Sequence, residues 1–177
     1  MMRATIQTRL NTDANSAWQL VKRSDTFVRI VRGMLGVSGV RDFPDQWQSG
    51  QQINTRLWFF HFLPGWVQHL TFVSVDDDRR ELETNEHGGL VPAWKHRIHV
   101  EENGSESESC LYTDEIDVRA SILTPLVWLY CHVFFRYRQS RLRKLAARRT
   151  VRSSMQEPEL RSDHSSSDTR LTGDDST

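Results

Sequence analysis

Two residues stand out for the chemistry they could do together: His96, in the segment LVPAWKHRIHVEE, and Asp114, in ESCLYTDEIDVRA. A carboxylate beside an imidazole fixes its tautomer and raises its basicity, as a general base requires. Both segments alternate in the period of a half-buried strand. With a hairpin centred near Ser105, Val100 faces Cys110, Ile98 faces Tyr112, His96 faces Asp114, Trp94 faces Ile116 and Pro92 faces Val118. The opposite face then sets Lys95 against Glu115 and Arg97 against Thr113, so opposite charges meet outside while rings lie inside. A slip of one residue would mix the two faces. The competing reading is that His96 and Asp114 merely satisfy each other under a helix.

Other chemistry is thinly represented. Tyr112 and Tyr130 could offer hydroxyls to a cavity wall, although a tyrosine at such spacing also serves as core with a wet tip. His61 and His69 fall on the two arms of one hairpin, and His87 and His99 on later strands, but their spacing does not converge three ligands, so no metal is expected. Cys110 and Cys131 lie in no metal or redox spacing and read as free core thiols. There is no Gly-rich phosphate loop, no Gly-x-Ser-x-Gly elbow and no Cys–His signature, and no cofactor is expected.

The elements that must position these residues follow in order. Ala4, Ile6, Thr8 and Leu10 mark a first strand, and Thr12 or Asp13 can cap a short helix carrying Ala17, Trp18, Leu20 and Val21. A second short helix runs through Phe27, Val28, Ile30 and Val31. Gly33, Gly36 and Gly39 loosen the chain, and FPDQWQSGQ has the composition of a hairpin turn. Strands are expected over 52–62 and 67–75, joined across Leu63-Pro64-Gly65-Trp66, with a more polar strand over 80–86 and a turn at Gly88-Gly89 before the final pair.

The run ILTPLVWLYCHVFFRYRQSRLRKLAARR, residues 122–149, reads as one long helix, capped by Thr124 with Pro125 at its first position. Leu126, Leu129, Tyr130, Val133, Phe134 and Tyr137 recur at helical steps and give the expected buried face. Its apolar part is shorter than the ~20 residues of a membrane span, and the N-terminus is too polar for a signal peptide, so a soluble cytoplasmic protein is expected. The ladder Arg136, Arg138, Arg141, Arg143, Lys144, Arg148, Arg149 and Arg152 reads first as a solvated helix end, second as a weak contact with an anionic membrane. A formal net charge of zero argues against nucleic acid as a partner. One domain is expected over 1–150, with a disordered polar tail over 151–177.

Strand, two short helices, about six or seven antiparallel strands and one long C-terminal helix is an α+β, helix-grip arrangement. On LNTDANSAWQLVKRSDTF, EHGGLVPAWKHRIHVEE and LYTDEIDVRASILTPLVWLYCHVFFRYRQSRLRKL, the chain resembles the START and polyketide cyclase superfamily (SRPBCC), which includes the birch-pollen-allergen-like proteins. The resemblance spans residues 3 to 148 and lies in the order of elements more than in any one motif. It implies a cavity between sheet and helix that accepts lipids, polyketides, hormones or other apolar molecules. Trp94, Ile98, Tyr112, Ile116, Leu126, Tyr130 and Val133 are the expected lining. Three functions follow as expectations: binding of a hydrophobic small molecule, polyketide cyclisation or dehydration with His96 and Asp114 as the base, and a membrane-surface module using the basic helix end.

Overall fold

The computed structural model describes the backbone of residues 1–104 and 106–162, with side chains described through 150 apart from 105–107. Seven antiparallel strands form one sheet: β1 (Met2–Leu10), β2 (Leu35–Val37), β3 (Gln52–Phe59), β4 (Leu63–Asp76), β5 (Glu81–Gly88), β6 (Val91–Asn103) and β7 (Glu106–Arg119). Their spatial order is β1-β7-β6-β5-β4-β3-β2, so the last strand returns beside the first. Between β1 and β2 lie α1 (Ala14–Val21) and α2 (Ser24–Val31), and α3 (Thr124–Ser162) packs mainly over β1, β7 and α2. This is the helix-grip arrangement.

Local chemistry accounts for most of the element boundaries. Asp13 caps α1 by accepting the Ser16 N–H at 2.8 Å. Thr124 does not act as a simple cap: its hydroxyl accepts from the Ala120 N–H at 2.9 Å and donates to the Ser121 carbonyl at 2.7 Å, tying down a short 3-10 turn ahead of the helix. The helix runs on to Ser162, beyond the expected end at Arg149, whereas 163–177 of the expected tail lie outside the described residues. The two cysteines are free and buried. Burial pushes their thiols up to about 11 for Cys110 and about 12 for Cys131.

Three expectations about the sheet are corrected. The β3–β4 turn is not Leu63–Trp66 but Phe60–Phe62, with Phe60 and His61 both at positive φ, and Leu63 to Trp66 belong to β4. Gly65 is needed for close approach instead: a Cβ there would lie 2.7 Å from the Leu57 carbonyl oxygen, beside the irregularity between Arg56 and Trp58. The segment FPDQWQSGQ is no tight hairpin. It belongs to the long connection between β2 and β3, and it plugs the core with Trp47, which stacks on Phe72 at 4.7 Å and meets Phe27 and Phe43 edge-on or tilted.

The β6–β7 register is offset by two residues from the expected one. His96 pairs with Ile116, Ile98 with Asp114, Val100 with Tyr112 and Arg97 with Glu115. An irregularity between Glu102 and Asn103 produces the offset. An even slip preserves faces, so the inward and outward sets stand as read. Outside, Arg97 reaches Glu81 at 3.2 Å and Glu83 at 3.3 Å, exposed pairs that contribute little, about 0–1 kcal/mol each.

The helix is rotated relative to the face that its apolar spacing suggested. Leu126, Leu129 and Val133 are 65%, 56% and 56% exposed, while Cys131, Phe134, Phe135, Arg138, Gln139, Leu142 and Ala146 are buried. Arg138 therefore leaves the solvated ladder and enters the core.

Candidate functional site

His96 and Asp114 meet on the inward face, diagonally across the β6–β7 ladder, with His96 Nε2 2.8 Å from Asp114 Oδ1. Asp114 is wholly buried, and every polar neighbour supplied to it is a donor. The Tyr112 hydroxyl donates to Oδ1 at 2.9 Å and the Gln139 amide to Oδ2 at 2.9 Å, while Arg138 Nη2 lies 3.7 Å from Oδ1. The Gln139 amide nitrogen uses its other N–H on the Ile6 carbonyl at 2.7 Å, and Arg138 Nη2 donates to the Tyr112 oxygen at 3.1 Å. The cluster thus joins β1, β6, β7 and α3.

Burial on its own would raise the Asp114 carboxyl. The Arg138 charge and the hydrogen bonds from His96 and Gln139 outweigh that and hold it below the ordinary carboxylate value. Burial likewise opposes the Arg138 cation, yet Tyr112, Asp114 and the Glu86 carboxylate keep it charged. The Tyr112 hydroxyl stays well above its usual value, chiefly through burial. An ionised Asp114 accepts only, so the proton in the hydrogen bond between them sits on His96 Nε2.

His96, Tyr112 and Arg138 of this cluster border a cavity of about 410 Å³ between sheet and helices. Its wall is mostly apolar, with Phe59, Leu70, Phe72, Leu82, Ile98 and Phe134 among the lining residues. Thr84, Glu86, Gln68, His96, Tyr112 and Arg138 add a polar strip. Glu86 accepts from the Thr84 hydroxyl at 2.9 Å and from the Gln68 amide at 3.3 Å, and Gln68 in turn accepts the Trp66 indole N–H at 2.8 Å. Leu126 lines the cavity while largely exposed, which marks where it meets solvent.

Of the expected lining, Trp94, Ile98, Tyr112, Leu126 and Tyr130 border the cavity. Ile116 is fully buried but packs in the core behind it, and Val133 points outward, since α3 is turned away from the phase assumed. Arg138 and Gln139 were missed. The available signal was their place on the stripe Cys131, Phe134, Phe135, Leu142 and Ala146, where a solvated arginine would not fall.

The histidines on the outer strands do not gather into a site. His61 Nε2 accepts the Gly33 N–H at 3.0 Å, His69 stacks on its strand partner His87 at 4.8 Å, and His99 lies 3.5 Å from Glu101. Among the described residues no cluster of three or more His, Cys, Asp or Glu could hold a metal ion, and no helix is long and apolar enough to cross a membrane.

Solved structures share this fold at low identity. A START superfamily protein from Mycobacterium smegmatis superposes with a TM-score of 0.61 at 12% identity, over 82% of this chain and 97% of its own. The Zhui aromatase/cyclase from Streptomyces sp. R1128 gives 0.61 at 10% identity, covering 84% and 95%. Norcoclaurine synthase from Thalictrum flavum, in complex with dopamine and hydroxybenzaldehyde, gives 0.60 at 16% identity, covering 83% and 87%. No curated protein matches the sequence. At such identities the likeness establishes the helix-grip fold, shared with START proteins, polyketide cyclases and the birch-pollen-allergen-like proteins. The model of one family matches residues 8–146, and the chain belongs to that family, the Domain of unknown function (DUF8410).

Proposed function

We propose that the protein binds a hydrophobic small molecule in the cavity between sheet and α3. The observation that carries this is the cavity itself: about 410 Å³ of space with a largely apolar wall and a few polar groups on one strip. That is within the roughly 300–1,000 Å³ of small-molecule sites, and a wall of this kind suits an apolar body held in orientation by a few hydrogen bonds. The test is organic extraction of the purified protein followed by mass spectrometry, together with titration of an apolar fluorescent probe. A co-purifying apolar compound, or saturable probe binding at one site per chain, is the expected result. Empty extracts from several preparations, with no probe binding, would refute it.

A second reading rests on His96. Its Nε2–H is committed to Asp114, which leaves the basic Nδ1 on a side chain that lines the cavity. In a polyketide cyclase or dehydratase, Nδ1 would take a proton from the carbon between two carbonyls as the new carbon–carbon bond forms. It would return that proton to the alkoxide so formed, and a second cycle would take the remaining proton of the same carbon and give it to the departing hydroxyl, leaving a carbon–carbon double bond and releasing water. Asp114 would stabilise the imidazolium between those steps. Conversion of a poly-β-ketone that is lost in His96→Gln, while binding of the same compound persists, is the expected signature. No conversion by the wild type would dispose of catalysis and leave binding standing.

A further inference from the structure

Among the described residues, most of the large apolar side chains left in solvent belong to three segments: the start of α3, the β3–β4 turn with the first residue of β4, and the β5–β6 turn. On α3, Leu126, Leu129 and Val133 follow one another at three and four residue steps, and Ile122, 90% exposed, extends the line into the 3-10 turn ahead of the helix. Phe62, 71% exposed, belongs to one turn and Leu90 to the other. The three segments are neighbours. Phe59, beside the β3–β4 turn, meets the Tyr130 ring edge-on at 6.1 Å, while Val91, beside the β5–β6 turn, shares a small core with Leu123, Val127 and Trp128. They frame the point where the cavity meets solvent, since Leu126 belongs both to the exposed stripe and to the cavity wall.

A single exposed leucine is ordinary, whereas a contiguous group of apolar side chains marks an interaction surface. Charge decides which kind. The same line of α3 continues past Val133 as the exposed Arg136, Arg143 and Lys144, and no Asp or Glu stands in the sequence between Asp117 and Glu157. We propose that this face docks on an anionic lipid bilayer, the apolar stripe and the two turns entering the headgroup boundary and the cations resting on the phosphates. The anchor is therefore the apolar stripe, with the basic part of the helix as its electrostatic complement. No described helix is long and apolar enough to cross a membrane, so α3 lies along the surface, its inner side still held by Gln139 on Asp114. A second copy packed through this face would cover the stripe but bring no acid from α3 to the cations. Docking places the cavity mouth on the bilayer, and it does not require that the cavity hold a ligand.

Flotation of the full chain with vesicles of phosphatidylcholine alone and of mixed phosphatidylcholine and phosphatidylserine, at about 0.15 M and about 1 M salt, tests the proposal. The chain is expected to float with mixed vesicles at about tenfold lower lipid concentration than with phosphatidylcholine, and the higher salt should erase that difference. Leu129→Asp and Phe62→Asp should each raise the lipid concentration required about tenfold, and Arg143→Ser combined with Lys144→Ser should do so for the mixed vesicles alone. These side chains are exposed and line no part of the cavity, so each variant should keep its Tm within about 2 °C of the wild type and should bind the apolar probe as the wild type does. That probe titration reads the cavity separately from the docking face. A wild type that floats with neither vesicle, flotation that Leu129→Asp and Phe62→Asp leave unchanged, or a dimer that Leu129→Asp dissociates would overturn the proposal, the last by assigning the face to a second copy.

Discussion

Replacing Asp114 by Asn tests the buried cluster at its centre, because the substitution keeps the shape and removes the charge. Arg138, only 7% exposed, then loses its nearest counter-charge, and the new amide presents N–H groups where Gln139 or His96 also donate. Removing one partner of a buried ion pair costs about 3–5 kcal/mol. An orphaned donor adds about 1–3 kcal/mol, but the two penalties share the same groups and do not simply add. A loss of about 4 kcal/mol is therefore expected, a large share of the roughly 5–15 kcal/mol of a typical domain. At about 2–4 °C per kcal/mol for a chain of this size, Tm should fall by about 10 °C. Urea unfolding followed by circular dichroism at pH 7 measures it.

Two further readouts separate this account from generic core damage. Because the Asp114 carboxyl is held below its ordinary value of 3.8 in the fold, its stabilisation is fully present above pH 3.8 and lost as the pH falls through the lower folded value. The stability gap between wild type and Asp114→Asn should be flat from neutral pH down to about pH 5 and should close below 3.8. Adding Arg138→Met to Asp114→Asn removes the unpaired cation, so the double variant should be less destabilised than the sum of the singles, by about 0.5–3 kcal/mol. A gap under about 1 kcal/mol, a gap that ignores acid, or strict additivity would refute the reasoning.

Leu129→Lys should change stability by no more than about 0.5 kcal/mol, because that side chain faces solvent, whereas Leu142→Ala should cost about 2–5 kcal/mol; urea unfolding of the pair checks the rotation of α3. Gly88→Ala should cost about 1–3 kcal/mol, since its Cβ would lie 2.5 Å from the Val67 carbonyl oxygen; the shift of the urea midpoint measures it. Neither Cys110 nor Cys131 should react with a thiol reagent in the native state, and both should react in denaturant, because both are buried and burial raises both thiols; absorbance of the released thiolate counts them.

The sheet was largely legible because alternation reports the face of each residue. Register was not: charge and apolar patterns repeat every two residues, so an even slip of β6 on β7 matches as well as the true pairing, and an irregularity at Asn103 decides between them. The β3–β4 turn misled for a related reason. Leu63-Pro64-Gly65-Trp66 has turn composition, yet Gly65 is there to let β4 approach Leu57, and the bend falls on Phe60 and His61, where His61 is held by the Gly33 N–H. His96 and Asp114 were legible as neighbours because both the assumed and the true register place them on one face. Arg138 and Gln139 were not, because an arginine among the seven other cations of the ladder from Arg136 to Arg152 reads as solvated surface.

The rotation of α3 follows from those two residues more than from its oily half. From Leu126 to Phe135 the helix is apolar on nearly every side, so hydrophobic burial alone distinguishes one rotation from another only weakly. Leu126, Leu129 and Val133 could lie inward as well as Cys131, Phe134 and Phe135 do. Turning the helix that way would carry Arg138 and Gln139 off Asp114. It would leave a wholly buried carboxylate without its cation, and would break the amide bridge from Gln139 to both Ile6 and Asp114. That loss is several kcal/mol, larger than any gain from exchanging one set of apolar side chains for another. The buried cluster therefore sets the rotation at which α3 grips the sheet. The same rotation brings Tyr130 and Arg138 to the cavity wall.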